Sequence, residues 1–213
     1  MNVYTVNMAE GAGASADSSA AARGNYHHGA LRQALVDAGE QLARADGLEG
    51  VTVRRIAAAC GVSAAAVYRH FPSGDHLIAA VAQRAREIMA RDIFARLAAA
   101  AERAAIDRLR EVGESYIAFA LAEPQLFSLV SMPMTTPPDR LDDPNAADLV
   151  RDIVLEFEPP DAIDEARVTS RVMLAQASAH GLAVILRDFV PDPAARKQLI
   201  AGVLDRVGVG LEA

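Results

Sequence analysis

The sequence predicts an all-α protein, with a small N-terminal three-helix domain followed by a larger helical domain. Three observations predict that class. Alanine, the best helix former, supplies much of a 52% hydrophobic fraction. Aromatic residues make up only 5% and tryptophan is absent, so β-branched and aromatic runs bounded by turn signals are scarce. Apolar residues recur instead at helical spacing, in segments broken by Gly, Pro and Asp. At 213 residues the chain can bury a substantial core, and falls between one large domain and a small domain fused to a larger one.

Taken in order, residues 1–22 are rich in Ala, Gly and Ser without apolar periodicity, and read as a disordered tail. Arg23 to His28, RGNYHH, lead into the first helix. His27 and His28 have no third or fourth ligand spaced to join them in a metal site. Leu31, Leu35, Ala38 and Leu42 give the first helix one apolar stripe, and Asp46-Gly47 ends it.

Thr52 to Phe71, TVRRIAAACGVSAAAVYRHF, reads as two short helices joined by a tight turn. Thr52 and Ser63 precede apolar-periodic runs and are N-cap candidates, each able to accept from an otherwise unpaired amide. Gly61 stands at the corner, where a chain leaving a helix often turns left-handed. Val53, Ile56, Val62 and Val67 close a miniature core, and Ala57 lets the helices cross closely. The spacing is that of a helix-turn-helix.

A capping box would place Glu or Gln three residues after Thr52; the chain has Arg55 there, after Arg54. Cations at a helix N-terminus oppose the macrodipole. Two of them fit a polyanion lying beside that helix end; the plainer reading is two solvated arginines. The second helix opens with Ala64, Ala65 and Ala66, small enough to let backbone approach a base edge and touch thymine methyls, and Tyr68, Arg69 and His70 follow as donors.

Pro72-Ser73 marks another break, and a long helix runs from near Asp75 towards Arg103. Leu109 to Leu121 and Pro124 to Val130 form two further helical patterns, and the prolines and aspartates of MPMTTPPDRLDDPN read as a loop. Ala146 to Phe157 resumes helix until Pro159-Pro160. Asp164 to Phe189 and Pro193 to Val209 complete the chain.

Charge divides with the domains. The formal total is −7. Residues 23–91 carry nine arginines against six acids, or +3, whereas 92–213 carry twelve basic against twenty acidic groups, or −8. Anion binding therefore belongs to the front third, and its affinity should fall with salt. The single cysteine, Cys60, forms no internal disulfide and fits a reducing cytoplasm. No apolar run approaches the ~18 residues of a membrane span, and no secretory signal opens the chain, so a cytoplasmic protein with no membrane partner is expected. A Gly-rich phosphate loop, a nucleophile elbow and a His-Glu-x-x-His motif are all missing; no catalytic residue, metal or cofactor is expected.

From Gly24 to Leu77 the chain resembles the DNA-binding domain of the TetR (tetracycline-repressor-like) family of bacterial transcriptional regulators. The resemblance rests on Thr52-Val53-Arg54, Ile56-Ala57, Gly61-Val62-Ser63 and Val67-Tyr68-Arg69-His70-Phe71-Pro72-Ser73. One departure is Gly74, where the family usually has a lysine on phosphate; His76 or helix amides could partly replace it. Ala179-His180-Gly181-Leu182-Ala183 resembles a C-terminal subgroup named for its Trp, His and Gly, with Gln176 where the Trp is usual; the Tyr26-His27-His28-Gly29 leader fits the same subgroup.

The resemblance implies residues 23–76 as a helix-turn-helix DNA-binding domain and 77–213 as a ligand-binding and dimerisation domain. The expected DNA contacts are Thr52, Arg54, Arg55, Ser63, Ala64, Ala65, Ala66, Tyr68, Arg69 and His70, on a palindromic double-stranded operator. A mostly apolar effector cavity is expected from Tyr116, Phe119, Phe127, Met132, Met173, Gln176, Ala177 and His180, although these could equally be ordinary core. Leu199, Ile200, Val203, Leu204 and Val207 form an apolar stripe expected to build a homodimer. The resulting function is a sequence-specific repressor released by a small hydrophobic ligand. The alternative is an all-α enzyme or small-molecule carrier whose front helices only resemble a DNA reader.

Overall fold

The computed structural model describes residues 15–132, 146–159, 161–190 and 192–212. They are helical throughout, with no strand among the described residues. Helix α1 spans Ser15–Asp46, followed by a 3-10 turn at Gly47–Gly50, α2 at Val53–Ala59 and α3 at Ala64–Tyr68. The larger domain holds α4 (Gly74–Ala98), α5 (Ala105–Ala122), α6 (Pro124–Val130), α7 (Ala146–Leu155), α8 (Glu165–Phe189) and α9 (Pro193–Glu212).

Two boundaries differ from the sequence reading. α1 begins at Ser15, so residues 15–22, read as part of a disordered tail, and the RGNYHH leader lie within the helix. Alanine-rich sequence extends a helix without needing an apolar stripe. α4 stops at Ala98 rather than near Arg103. The loop expected over MPMTTPPDRLDDPN lies, after Met132, outside the described residues.

The front domain closes around Leu35, Ile56, Val67, Phe71, Leu77 and Val81, all essentially buried. Leu77 and Val81 belong to the first turns of α4, so that helix is part of the front-domain core as well as of the larger domain. The Arg32 guanidinium lies 4.8 Å from the Phe71 ring centroid, in cation–π range.

In the larger domain α5 is central, packed by α4, α6, α7, α8 and α9. α6 is a short wedge between the domains: its Leu126, Phe127 and Leu129 are buried, and it touches α1, the 3-10 turn, α4 and α5. A polar chain crosses the same joint. Arg84 Nε of α4 donates to Glu40 of α1 at 3.1 Å, Arg44 pairs with Glu40, and Arg44 Nε reaches Glu123 at 3.2 Å. At the far end, Asp164 caps α8 by accepting from the Ala166 and Arg167 amides at 3.0 and 3.2 Å. Just before it, the Glu158 carboxylate accepts from Arg167 Nε at 3.0 Å and Arg171 Nη1 at 2.7 Å. The Arg167 hydrogen bond and the charges of both arginines hold its carboxyl below the ordinary range.

Candidate DNA interface and ligand cavity

The helix-turn-helix is fixed by local contacts. Thr52 Oγ1 accepts from the Arg55 amide at 3.3 Å, and Ser63 Oγ from the Ala66 amide at 3.2 Å. Gly61 has φ +66°, and the Val62 and Gly61 amides close back on the Ala57 and Ala58 carbonyls at 2.9 and 3.1 Å. This is the Schellman arrangement, which requires a left-handed residue.

Thr52, Arg54, Ser63, Ala64, Ala65, Tyr68 and Arg69 are exposed, Tyr68 at 53%, while Ala66 and His70 are half-buried. Arg55 is also exposed, but its guanidinium is paired with Asp46 at the end of α1. Arg55 was expected to stand unanswered against the helix dipole; the Asp46 carboxylate, nine residues back across the turn, answers its charge. Arg54 is the cation of this helix end that points to solvent without that restraint. Ser73 Oγ lies 2.8 Å from His76 Nδ1 and accepts from the His76 amide at 3.4 Å, so His76 is tied into the cap of α4. Cys60 Sγ donates to the Ala34 carbonyl at 3.5 Å, and burial together with Asp37 pushes its thiol pKa up. It is a packing residue, not a reactive thiolate.

The larger domain encloses a cavity of about 820 Å³ among α4, α5, α7, α8 and α9, within the range of drug-sized ligand sites. Three expected residues line it: Tyr116, Gln176 and His180. Tyr116 Oη and His180 Nδ1 share a hydrogen bond at 2.9 Å, and burial raises the Tyr116 pKa to about 12, so its phenol stays neutral at physiological pH. Phe127 stands behind the pair, edge-on to Tyr116 at 5.5 Å and 5.7 Å from the His180 ring.

The remaining expectations for the cavity are corrected. Phe119 is buried core and does not line it, and Met132 contributes its carbonyl to Arg86 rather than its side chain to the lining. Met173, 57% exposed, and Ala177 face outward from α8. The inward residues are Ala175 and Ala179, two positions and about 200° of helix away. Sequence reasoning also missed the contributions of α4 and α9, among them Arg86, Met89, Ile93 and Gly208. Met89 and Ile93 follow one face of α4 at i, i+4, but no local pattern marks that face as lining a space rather than filling one.

The stripe expected for dimerisation divides. Leu204 is only 7% exposed; its side chain packs on Gly113 and lines the cavity with Val207. Ile200 and Val203 are half-buried, and Leu199 faces out. The exposed apolar surface of these helices is Met173, Leu174, Ile185 and Phe189 on α8 with Leu199 and Val209 on α9, Phe189 being 75% exposed.

Residues 35–81 match the family described as "Bacterial regulatory proteins, tetR family", and residues 109–205 match "Tetracyclin repressor-like, C-terminal domain". The chain belongs to the TetR family. As a TetR-family protein it is a DNA-binding transcriptional regulator and not an enzyme. Solved structures share the fold. A protein of unknown function from Rhodococcus sp. RHA1 is 27% identical with a TM-score of 0.69, covering 88% of this chain and 98% of its own. Mycobacterium smegmatis BioQ is 18% identical with a TM-score of 0.63, covering 84% and 95%. A TetR transcriptional regulator from Rhodococcus sp. RHA1 is 20% identical with a TM-score of 0.53, covering 86% and 97%. No curated protein matches the sequence. Among the described residues of this TetR-family chain, no helix is long and apolar enough to cross a membrane.

Proposed function

We propose that this regulator is a homodimeric repressor that holds a palindromic operator and is released when a small, mostly apolar molecule enters the cavity. The observation that carries the reading is the course of α4. Its first turns, through Leu77 and Val81, close the core beneath the recognition helix, and its later turns, through Met89 and Ile93, wall the cavity. A ligand acts through unequal affinity for DNA-competent and DNA-incompetent states, and a shift of α4 changes recognition-helix placement directly. A tenfold loss of operator affinity needs about 1.4 kcal/mol of such coupling.

The outward apolar residues of α8 and α9 support the dimer, because among the described residues Phe189 stays 75% exposed and Leu174 43% exposed. Two copies of this face make an isologous four-helix interface. The two α3 helices then meet half-sites about one turn, ~34–36 Å, apart. The His180-Gly181 pair, with its Tyr116 partner, supports placement in the Trp-His-Gly subgroup despite Gln176.

The test is selection of bound fragments from the source genome, then operator titration at two salt concentrations and sedimentation of the free protein. A palindromic site bound by a dimer, with affinity falling steeply in salt, is expected. A monomer at micromolar concentration, or salt-insensitive binding, overturns the reading.

A further inference from the structure

The cavity carries a charge that the chain does not answer. Arg86 of α4 lines it and is half-buried, yet among the described residues no carboxylate lies within ion-pair distance of its guanidinium. Its hydrogen bond runs from Nη2 to the Met132 carbonyl at 3.0 Å, which uses one of five N–H donors and neutralises no charge. Two other arginines of the lining differ: Arg84 is met by Glu40, Asp37 and Glu87, and Arg110 by Asp205. The fourth, Arg91, has no acid beside it among the described residues either, but it is exposed, so water answers its charge. Glu87, the single acid among the lining residues, is already engaged by Arg84 at 3.6 Å. Burial with no acid to offset it lowers the Arg86 pKa, but a guanidinium keeps its proton. A desolvated cation beside an apolar space is costly until an anion pairs with it.

We propose that the effector is an amphipathic anion: a carboxylate or similar acidic group pairs with the Arg86 fork while an apolar body lies against Met89, Ile93, Val112 and Leu204. Tyr116 and His180 offer a second polar contact. The inference deepens the ligand-released reading and rests on it for the regulatory consequence, but the charge preference is measurable without DNA.

The full-length protein is titrated with two dyes of one scaffold, 8-anilinonaphthalene-1-sulfonate and N-phenyl-1-naphthylamine, which differ by the sulfonate. The anion is expected to bind at least tenfold tighter, about 1.4 kcal/mol. Arg86→Gln removes that preference by weakening the sulfonate dye and leaves the neutral dye within twofold. Arg86→Lys, which keeps a charge without the planar fork, gives an intermediate ratio. Equal affinities in the wild type, or equal losses of both dyes in Arg86→Gln at an unchanged unfolding midpoint, overturn the proposal. If Arg86→Gln does not fold, Arg86→Lys carries the comparison, and an unchanged dye ratio overturns it. Failure of both dyes to bind overturns the ligand cavity as well. Loss of operator binding by the wild type overturns the regulator reading and leaves the charge preference standing.

Discussion

Asp46 holds Arg55 by an exposed ion pair, so an operator phosphate reaching Arg55 would have to compete with a carboxylate for one guanidinium. Arg54 faces no such competitor, and Arg54→Ala is expected to weaken binding on all sequences alike and to reduce the salt slope by about one. Asp46→Asn frees Arg55 and should raise operator affinity severalfold at low salt, the gain fading as salt rises. A fall in affinity at unchanged thermal stability would show instead that Asp46 positions Arg55 for DNA. Gly61 gives a purely conformational test, since a Cβ there would meet no atom within 4 Å. Gly61→Ala should cost about 1–2 kcal/mol, read as a lower denaturation midpoint, from left-handed backbone strain alone. At this scale the caps and the corner were legible because their partners lie within five residues. The Asp46 pair was not, because a fold-dependent turn brings it round.

α8 shows why a helix can be legible in extent and illegible in phase. Apolar residues surround it, with Val168, Leu182 and Leu186 facing in and Met173, Ile185 and Phe189 facing out. A helix with two apolar faces has no single stripe from which to read its orientation. The corrected phase puts Ala175, not Ala177, at the cavity: Ala175→Phe should abolish ligand-induced DNA release while sparing operator binding. Leu204 was misplaced for a related reason, since its side chain packs on Gly113 of its own chain. Leu204→Ala should therefore destabilise the chain by about 2–5 kcal/mol. Phe189→Arg should dissociate the dimer at nearly unchanged monomer stability, measured by sedimentation. At the start of α8, Glu158 has a depressed folded-state pKa, so its contribution is full above the unfolded value of ~4.3 and is lost as pH falls through the lower folded value. Denaturant titrations of wild type and Glu158→Gln should diverge near neutrality and converge only as pH falls through that lower folded value; a constant gap would assign the effect to shape rather than charge.

At the scale of the molecule, fold class and domain order were legible because alanine content, turn residues and charge asymmetry are summed over many positions. The cavity was legible only in part, through Tyr116, Gln176 and His180; the rest of its lining was not, since it is made where α4, α5, α8 and α9 fail to fill the space between them, and one sequence lists side chains without saying which gaps they leave. The polar chain from Glu123 through Arg44 and Glu40 to Arg84 joins α1 to the wall of that space, and the Arg44 and Glu123 side chains are partly exposed. Ions that screen the operator phosphates therefore also slacken this linkage. Under the proposed repressor reading, a rise in internal salt would loosen the hold on the operator and weaken the answer to the ligand together. Basal expression would then rise while the induced increment shrank, and osmotic stress would narrow the dynamic range from both ends.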